Sequence, residues 1–181
     1  MIPRRAPLLL ALAIAVAAMS GCSGAPAPAP TEATPPFASE EEAFAAAEAT
    51  YREYVEALND VDLSDPKTFE PVFALTTGGA DAAIRKSLSQ MHADSWVVSG
   101  ESVVASVSRR TIEPSLESAA LDICLDVSRV RVVDESGGSV VEPDRGDVHA
   151  MRVTLQGNTA KDGTWKISTI AGRDGAPSCD H

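Results

Sequence analysis

The chain has 181 residues, with 15 lysines and arginines against 26 aspartates and glutamates, for a formal charge of −11. That balance argues against nucleic acid as a partner, because tracking phosphates takes clustered Lys and Arg. It also argues against flat adhesion to an anionic leaflet; the basic pairs Arg85-Lys86 and Arg109-Arg110 read as solvated faces.

At the N-terminus, Arg4 and Arg5 precede an apolar run from Ala6 to Ala18 that is interrupted by Pro7. A bilayer-crossing helix takes about 20 apolar residues, so this run is too short to span. A positive start, a short apolar segment and small residues before a cut describe an export signal. Met19-Ser20-Gly21-Cys22 resembles the bacterial lipobox, with Met19 where that pattern most often has Leu. The resemblance implies cleavage after Gly21 and a thioether-linked diacylglycerol on Cys22. Residues 1–21 are therefore expected to be a lipoprotein signal peptide, and the protein to sit lipid-anchored on the outer face of a bacterial cell membrane. The alternative is a secreted protein cut nearby, with Cys22 an incidental thiol. Loss of Arg4 and Arg5 would leave 13 basic side chains against 26 acidic ones. Two acyl chains anchor stably, since each buried methylene contributes about 0.8 kcal/mol and one chain alone is marginal.

Residues 22–36 are expected to be the lipidated cysteine followed by a Pro/Ala-rich disordered linker. Five prolines between Ser23 and Pro36 remove amide donors and fix φ, which favours extended chain reaching roughly 40 Å at about 3.1 Å per residue. Residues 37–181 have the length of one domain with its own core. Ser39 and Glu42 form a capping-box pattern, and Phe44, Ala47, Tyr51, Val55, Leu58 and Val61 follow at helical spacing. Ser64-Asp65-Pro66 predicts a second, short helix from Lys67 to Leu75. Gly78-Gly79 then predicts a break, and Ala80 to Ala93 a third helix carrying Ile84, Leu88 and Met91.

Beyond Asp94 the period becomes two. Trp96 and Val98 predict a short strand; Val103, Ala105 and Val107 alternate with serines in the next; Leu121 to Val127 places Asp122, Cys124 and Asp126 opposite the apolar positions. Val130 and Val132 reverse that phase, which predicts a bulge near Ser128-Arg129. His149, Met151, Val153 and Leu155 make one face of a further strand. Trp165, Ile167 and Thr169 make one face of the last, after a turn around Asn158 to Gly163.

Helices followed by a meander of about four to six strands predict an α+β fold, with N-terminal helices packed on a curved antiparallel sheet. That order, the bent central strand and the terminal Gly163-Thr164-Trp165-Lys166-Ile167 resemble the cone-shaped fold of the nuclear transport factor 2-like superfamily. With the lipobox, the Pro-Ala linker, Ile123-Cys124-Leu125-Asp126 and a cysteine near the end, the chain resembles lipid-anchored Gram-positive members of that superfamily. Other helix-on-sheet architectures, including cystatin-like ones, fit the same pattern.

If Cys22 takes lipid, Cys124 and Cys179 remain as an even pair in an oxidising compartment, and a disulfide between them is expected. The bond would carry the Gly172 to Pro177 tail across the sheet face away from the helices. Two free thiols are the alternative, and the cysteines lack zinc-site spacing. Neither a metal nor another cofactor is expected.

The superfamily resemblance implies a cavity that in some members holds catalytic Asp, His, Tyr or Arg groups, but none of those sets matches here. Asp122 and Asp126 read as a solvated pair on the polar face. His149 is the one catalytic candidate, at the start of an inward face and titrating near neutrality. Tyr51 and Trp165 are candidates for pocket lining beside His149, although their spacing reads first as core, as does that of Tyr54 and Trp96. Arg145-Gly146-Asp147 matches the integrin-ligand tripeptide, a motif short enough to arise by chance. Two functions follow: a non-catalytic envelope module binding a protein, wall component or small apolar ligand, or a small cone-fold hydrolase or isomerase. Homodimerisation through the sheet is allowed by the resemblance.

Overall fold

The computed structural model describes residues 37–113, 115–158 and 164–179. The signal, Cys22, linker and 159–163 turn expectations lie outside the described residues. Helix α1 runs Glu40–Asn59. Its start carries half of the predicted capping box, the Glu42 amide donating to Ser39 Oγ at 3.2 Å, while the Glu42 carboxylate accepts at 2.8 Å from the Ala38 amide, one residue before the cap. A 3-10 turn, Pro66–Phe69, leads into α2, Glu70–Ala74, so Pro66 and Pro71 each sit in a first turn where no amide is needed. Helix α3 runs Gly78–Ala93. The glycine pair opens this helix instead of breaking the chain, because Gly78 takes φ +54°, a value that costs other residues strain.

Strands β2 (Val103–Ile112), β3 (Ser118–Asp126), β5 (Val148–Asn158) and β6 (Thr164–Gly172) form an antiparallel sheet in the order β2-β3-β5-β6. β1 (Val97–Ser99) and β4 (Arg131–Val133) pair separately. The helices pack on one face of the larger sheet, giving the expected α+β arrangement. Ala43, Phe44, Ala47, Tyr51, Tyr54 and Val55 of α1 are buried against Leu121, Ile123, Val153, Leu155, Trp165 and Ile167. The segment between α2 and α3 lies along the β6 edge, where the Ile167 amide donates to Leu75 O and the Thr77 amide to Ile167 O.

Strand irregularities fall in other places than the sequence pattern implies. The register of β2 shifts at Ala105 and again at Arg110. The first shift turns Val104 and Val107 toward the core, opposite Leu125 and Ile123, and leaves Val103 exposed. At Ser128-Arg129 the chain makes a turn, with no bulge. The phase reversal in the sequence marks a change of sheet: β3 ends at Asp126, and Val132 pairs with Val98. Gly100 permits that crossing. It has φ +80°, and a Cβ there would lie 2.0 Å from Arg129 O.

Candidate functional site

Two places in the fold gather side chains with something to do. The first lies on the helical side, where the end of α1, α3 and the β1 segment diverge. Here Leu58, Val61, Leu63, Ile84, Leu88, Met91, Val98 and Val130 enclose a cleft of about 200 Å³. Its polar residues are Asn59, Ser87 and Ser102. The Asn59 side chain is committed to backbone: its amide donates to Ser102 O at 3.0 Å and its oxygen accepts from the Ser102 amide at 2.9 Å. A wider neighbouring groove of about 420 Å³ is lined by Tyr54, Ala80, Ala83, Ile84, Ser87 and Ile170, among others. Burial pushes the Tyr54 phenol up to about 12, so it stays neutral and serves as a wall.

The second place is the opposite face of the sheet. Cys124 and Cys179 are joined, with Cα atoms 5.6 Å apart, and the C-terminal tail crosses the face away from the helices as the pairing requires. Beneath it lies Asp122, whose side chain is 3% exposed. Arg152 Nε donates to Asp122 Oδ1 at 2.9 Å, Arg110 donates to Oδ2 at 3.4 Å, and Arg173 Nε stands 3.8 Å from Oδ1. Burial alone would raise the Asp122 carboxyl, but the Arg152 hydrogen bond and the charges of Arg152, Arg110 and Arg173 outweigh it and hold it below the usual carboxylate range. Asp122 is therefore a buried, ion-paired group. The expectation of a solvated Asp122–Asp126 pair is corrected, because the tail covers Asp122 while Asp126 accepts from the Ser128 amide at 2.8 Å.

Arg173 connects the carboxylate to the disulfide. Its guanidinium is 2% exposed, donates to Gly175 O at 2.9 Å, and lies 3.6 Å from Cys179 Sγ and 3.9 Å from Cys124 Sγ. Sequence reading missed all three arginines. One signal pointed to them: a bridge from Cys124 to Cys179 had to lay residues 172–179 over Asp122, and a covered carboxylate needs cations.

The pocket-lining candidates separate. Tyr51 is 1% exposed in the centre of the core, and burial, then the neighbouring Tyr54, raises its phenol further than that of Tyr54. Trp165 stacks on Phe37 with ring centroids 5.4 Å apart. His149 stands opposite Leu125 on the core-facing side of β5, half-buried. None of the three lines either cleft on the helical side; Tyr51 is carried by α1 itself and, with Trp165, is packed in the core between that helix and the sheet. His149 makes no hydrogen bond to a catalytic partner among the described residues. Arg145 of the Arg-Gly-Asp tripeptide donates to Val127 O at 2.9 Å and Val130 O at 3.1 Å, so it braces the β3–β4 turn. No helix among the described residues is long and apolar enough to cross a membrane.

No protein-family model matches the sequence, and no curated protein matches it. Among solved structures, the chain is similar to the intermembrane space region of chloroplast protein ARC6, with a TM-score of 0.49 and 12% identity over 71% of this chain and 95% of that one. A protein provisionally named an aromatic ring hydroxylase, from Novosphingobium aromaticivorans, gives 0.48 and 14% over 75% and 96%. One provisionally named a polyketide cyclase, from Xanthomonas campestris pv. campestris, gives 0.37 and 13% over 74% and 93%. Helices on a curved antiparallel sheet are what the superfamily resemblance implies. That arrangement stands on this chain's own elements and register, and neighbours with TM-scores below 0.5 add no argument about function.

Proposed function

We propose that the chain is a lipid-anchored envelope module whose domain binds a small apolar ligand without converting it. The observation that carries this reading is the helical-side cleft, walled by Leu58, Val61, Ile84, Leu88, Met91 and Val98, with neutral Asn59, Ser87 and Ser102 as its polar residues. Apolar walls with a few fixed polar groups describe a ligand site. Acid-base chemistry would call for a titratable group within hydrogen-bond reach of the ligand, and the cleft's lining offers none. At about 200 Å³ it is smaller than the roughly 300–1,000 Å³ of drug-sized sites, which suits a short acyl segment or a single ring system. The Cys124–Cys179 bridge supports an oxidising compartment, and the Met19-Ser20-Gly21-Cys22 motif with its proline spacer supports a tethered domain standing off the membrane.

The test is displacement of a small fluorescent apolar probe, 1-aminoanthracene, on the full chain and on Ser87→Phe. Ser87 is exposed on α3 and borders both clefts, so the ring should fill the cleft mouth without disturbing the core. Saturable probe binding that Ser87→Phe abolishes at unchanged melting temperature is the expected result. Absence of saturable binding, or binding indifferent to Ser87→Phe, would remove the proposal.

A further inference from the structure

The outer face of the sheet carries a local charge opposite to that of the whole chain. Three guanidiniums converge on one carboxylate at Asp122, a surplus of two positive charges in a protein of net charge −11. Their environments differ. Arg173 is sealed under the tail, whereas Arg110 and Arg152 are 44% and 36% exposed. Arg110 spends one terminal NH on Asp122, and Arg152 spends its Nε. Each guanidinium has five donors, and the remaining ones of these two make no other protein hydrogen bond among the described residues.

Position and floor fit an anion as well. Arg152 is directly opposite Asp122 on β5, and Arg110 is the extra residue where β2 shifts register beside β3. Arg109 lies over the Phe44 ring on the helical side and Arg110 turns outward to Asp122, and the bulge brings Thr111 onto the same outer face as Arg110. The next row on the outer face is Thr111, Ala120, Thr154 and Thr169, two threonines flanking a small residue and a third beyond. Asp122 thus orients two half-exposed guanidiniums on either side of β3, next to a low floor with hydroxyls. Buried Asp122 cannot neutralise both, and Asp174, the nearest acid in the tail sequence, is exposed to solvent.

We propose that Arg110 and Arg152 form a binding site for a phosphate-type oxyanion on the outer face of the sheet. Arginine forks match phosphate oxygens in pairs of parallel hydrogen bonds, and pre-orientation by Asp122 lowers the entropy cost of ordering them. A soluble phosphate or phosphate ester is the favoured source, because the chain's overall negative charge opposes approach to an anionic bilayer. The site is separate from the apolar cleft, on the other side of the sheet, and its test does not depend on that reading.

The experiment is a titration of the full chain with inorganic phosphate and with glycerol phosphate at constant ionic strength, followed by amide chemical shifts, with chloride as control. Saturable shifts centred on Ala120, Asp122 and Arg152 are expected. Arg110→Gln should weaken binding at least about tenfold, the loss of one charge-assisted pair of bonds, and Arg110→Lys should restore part of it. Arg110 is half-exposed and 3.4 Å from Asp122, so its replacement should leave the melting temperature nearly unchanged; should it not, Thr111→Val on the exposed neighbouring row is expected to weaken binding in a folded protein. Shifts that match chloride, fail to saturate, or ignore all of these substitutions would overturn the site. Arg110-dependent binding to phosphatidylglycerol vesicles without any response to the soluble phosphates would overturn it too.

Discussion

Replacing Asp122 by Asn tests whether the outer-face cluster holds the domain together. The substitution keeps the shape and one acceptor oxygen but removes the negative charge that the three guanidiniums share. Breaking a buried ion pair costs about 3–5 kcal/mol, because the surviving charge is stranded. Here that penalty is divided. Arg110 and Arg152, at 44% and 36% exposure, can turn to water and contribute little. Arg173, at 2%, cannot. It is tied to Gly175 O and, through its amide, to Ala150 O, and is packed on the disulfide, and its buried Nε makes no hydrogen bond among the described residues, with the Asp122 carboxylate 3.8 Å away as its counter-charge. The expected loss is therefore about 2–3 kcal/mol, or roughly 10 °C in melting temperature for a domain of this size. Thermal melts followed by circular dichroism would measure it, together with Arg173→Met and the double variant. Coupling of at least about 1 kcal/mol between the two is expected, since they share one contact. A loss below about 0.5 kcal/mol for Asp122→Asn, or strict additivity, would refute the assignment of Asp122 as the anchor of the tail.

The same carboxyl sets a pH dependence. Its folded value lies below the usual carboxylate range, so the stability it contributes is complete above the unfolded value of about 3.9 and is lost as pH falls through the folded one. Wild type and Asp122→Asn should therefore begin to converge in melting temperature as pH falls below about 4; a gap that stays constant down to pH 2 would contradict the ion-pair reading. Cys179→Ser should cost roughly 4 kcal/mol in the chain-entropy account for a sequence separation of 55, measured by urea titration, and the protection of the β3 amides should fall by a similar amount, because β3 is held by β2 and β5 on both sides and exchanges through global unfolding. Free, alkylatable Cys179 in the non-reduced protein would dispose of that prediction. For the tether, Cys22→Ala should abolish labelling by an alkyne fatty acid and release the protein or leave a precursor; continued labelling would show that Cys22 is not the anchor.

Much of the architecture was legible because periodicity is a local property. Helical spacing from Phe44 to Val55 and alternation from Leu121 to Ile123 are each set by which face meets the core, and both hold in the fold. Cysteine parity was legible for a similar reason, since it needs only a compartment and a count. Reading failed where two segments distant in sequence meet. The reversed phase after Val127 looked like a bulge from within one strand, but Val132 had a partner, Val98, in a second sheet. The bulges of β2, at Ala105 and Arg110, answer to the register of β3, as one at Ser168 of β6 answers to β5, and they leave no mark in their own strands. Asp122 shows the limit most clearly. Alternation assigns it to the polar face, and it is there. Whether that face is wet depends on a tail about fifty residues away, which brings a disulfide and Arg173 over it. Side-chain direction follows from backbone geometry one residue at a time, whereas solvation follows from what else occupies the space, and only the closed tertiary structure decides that.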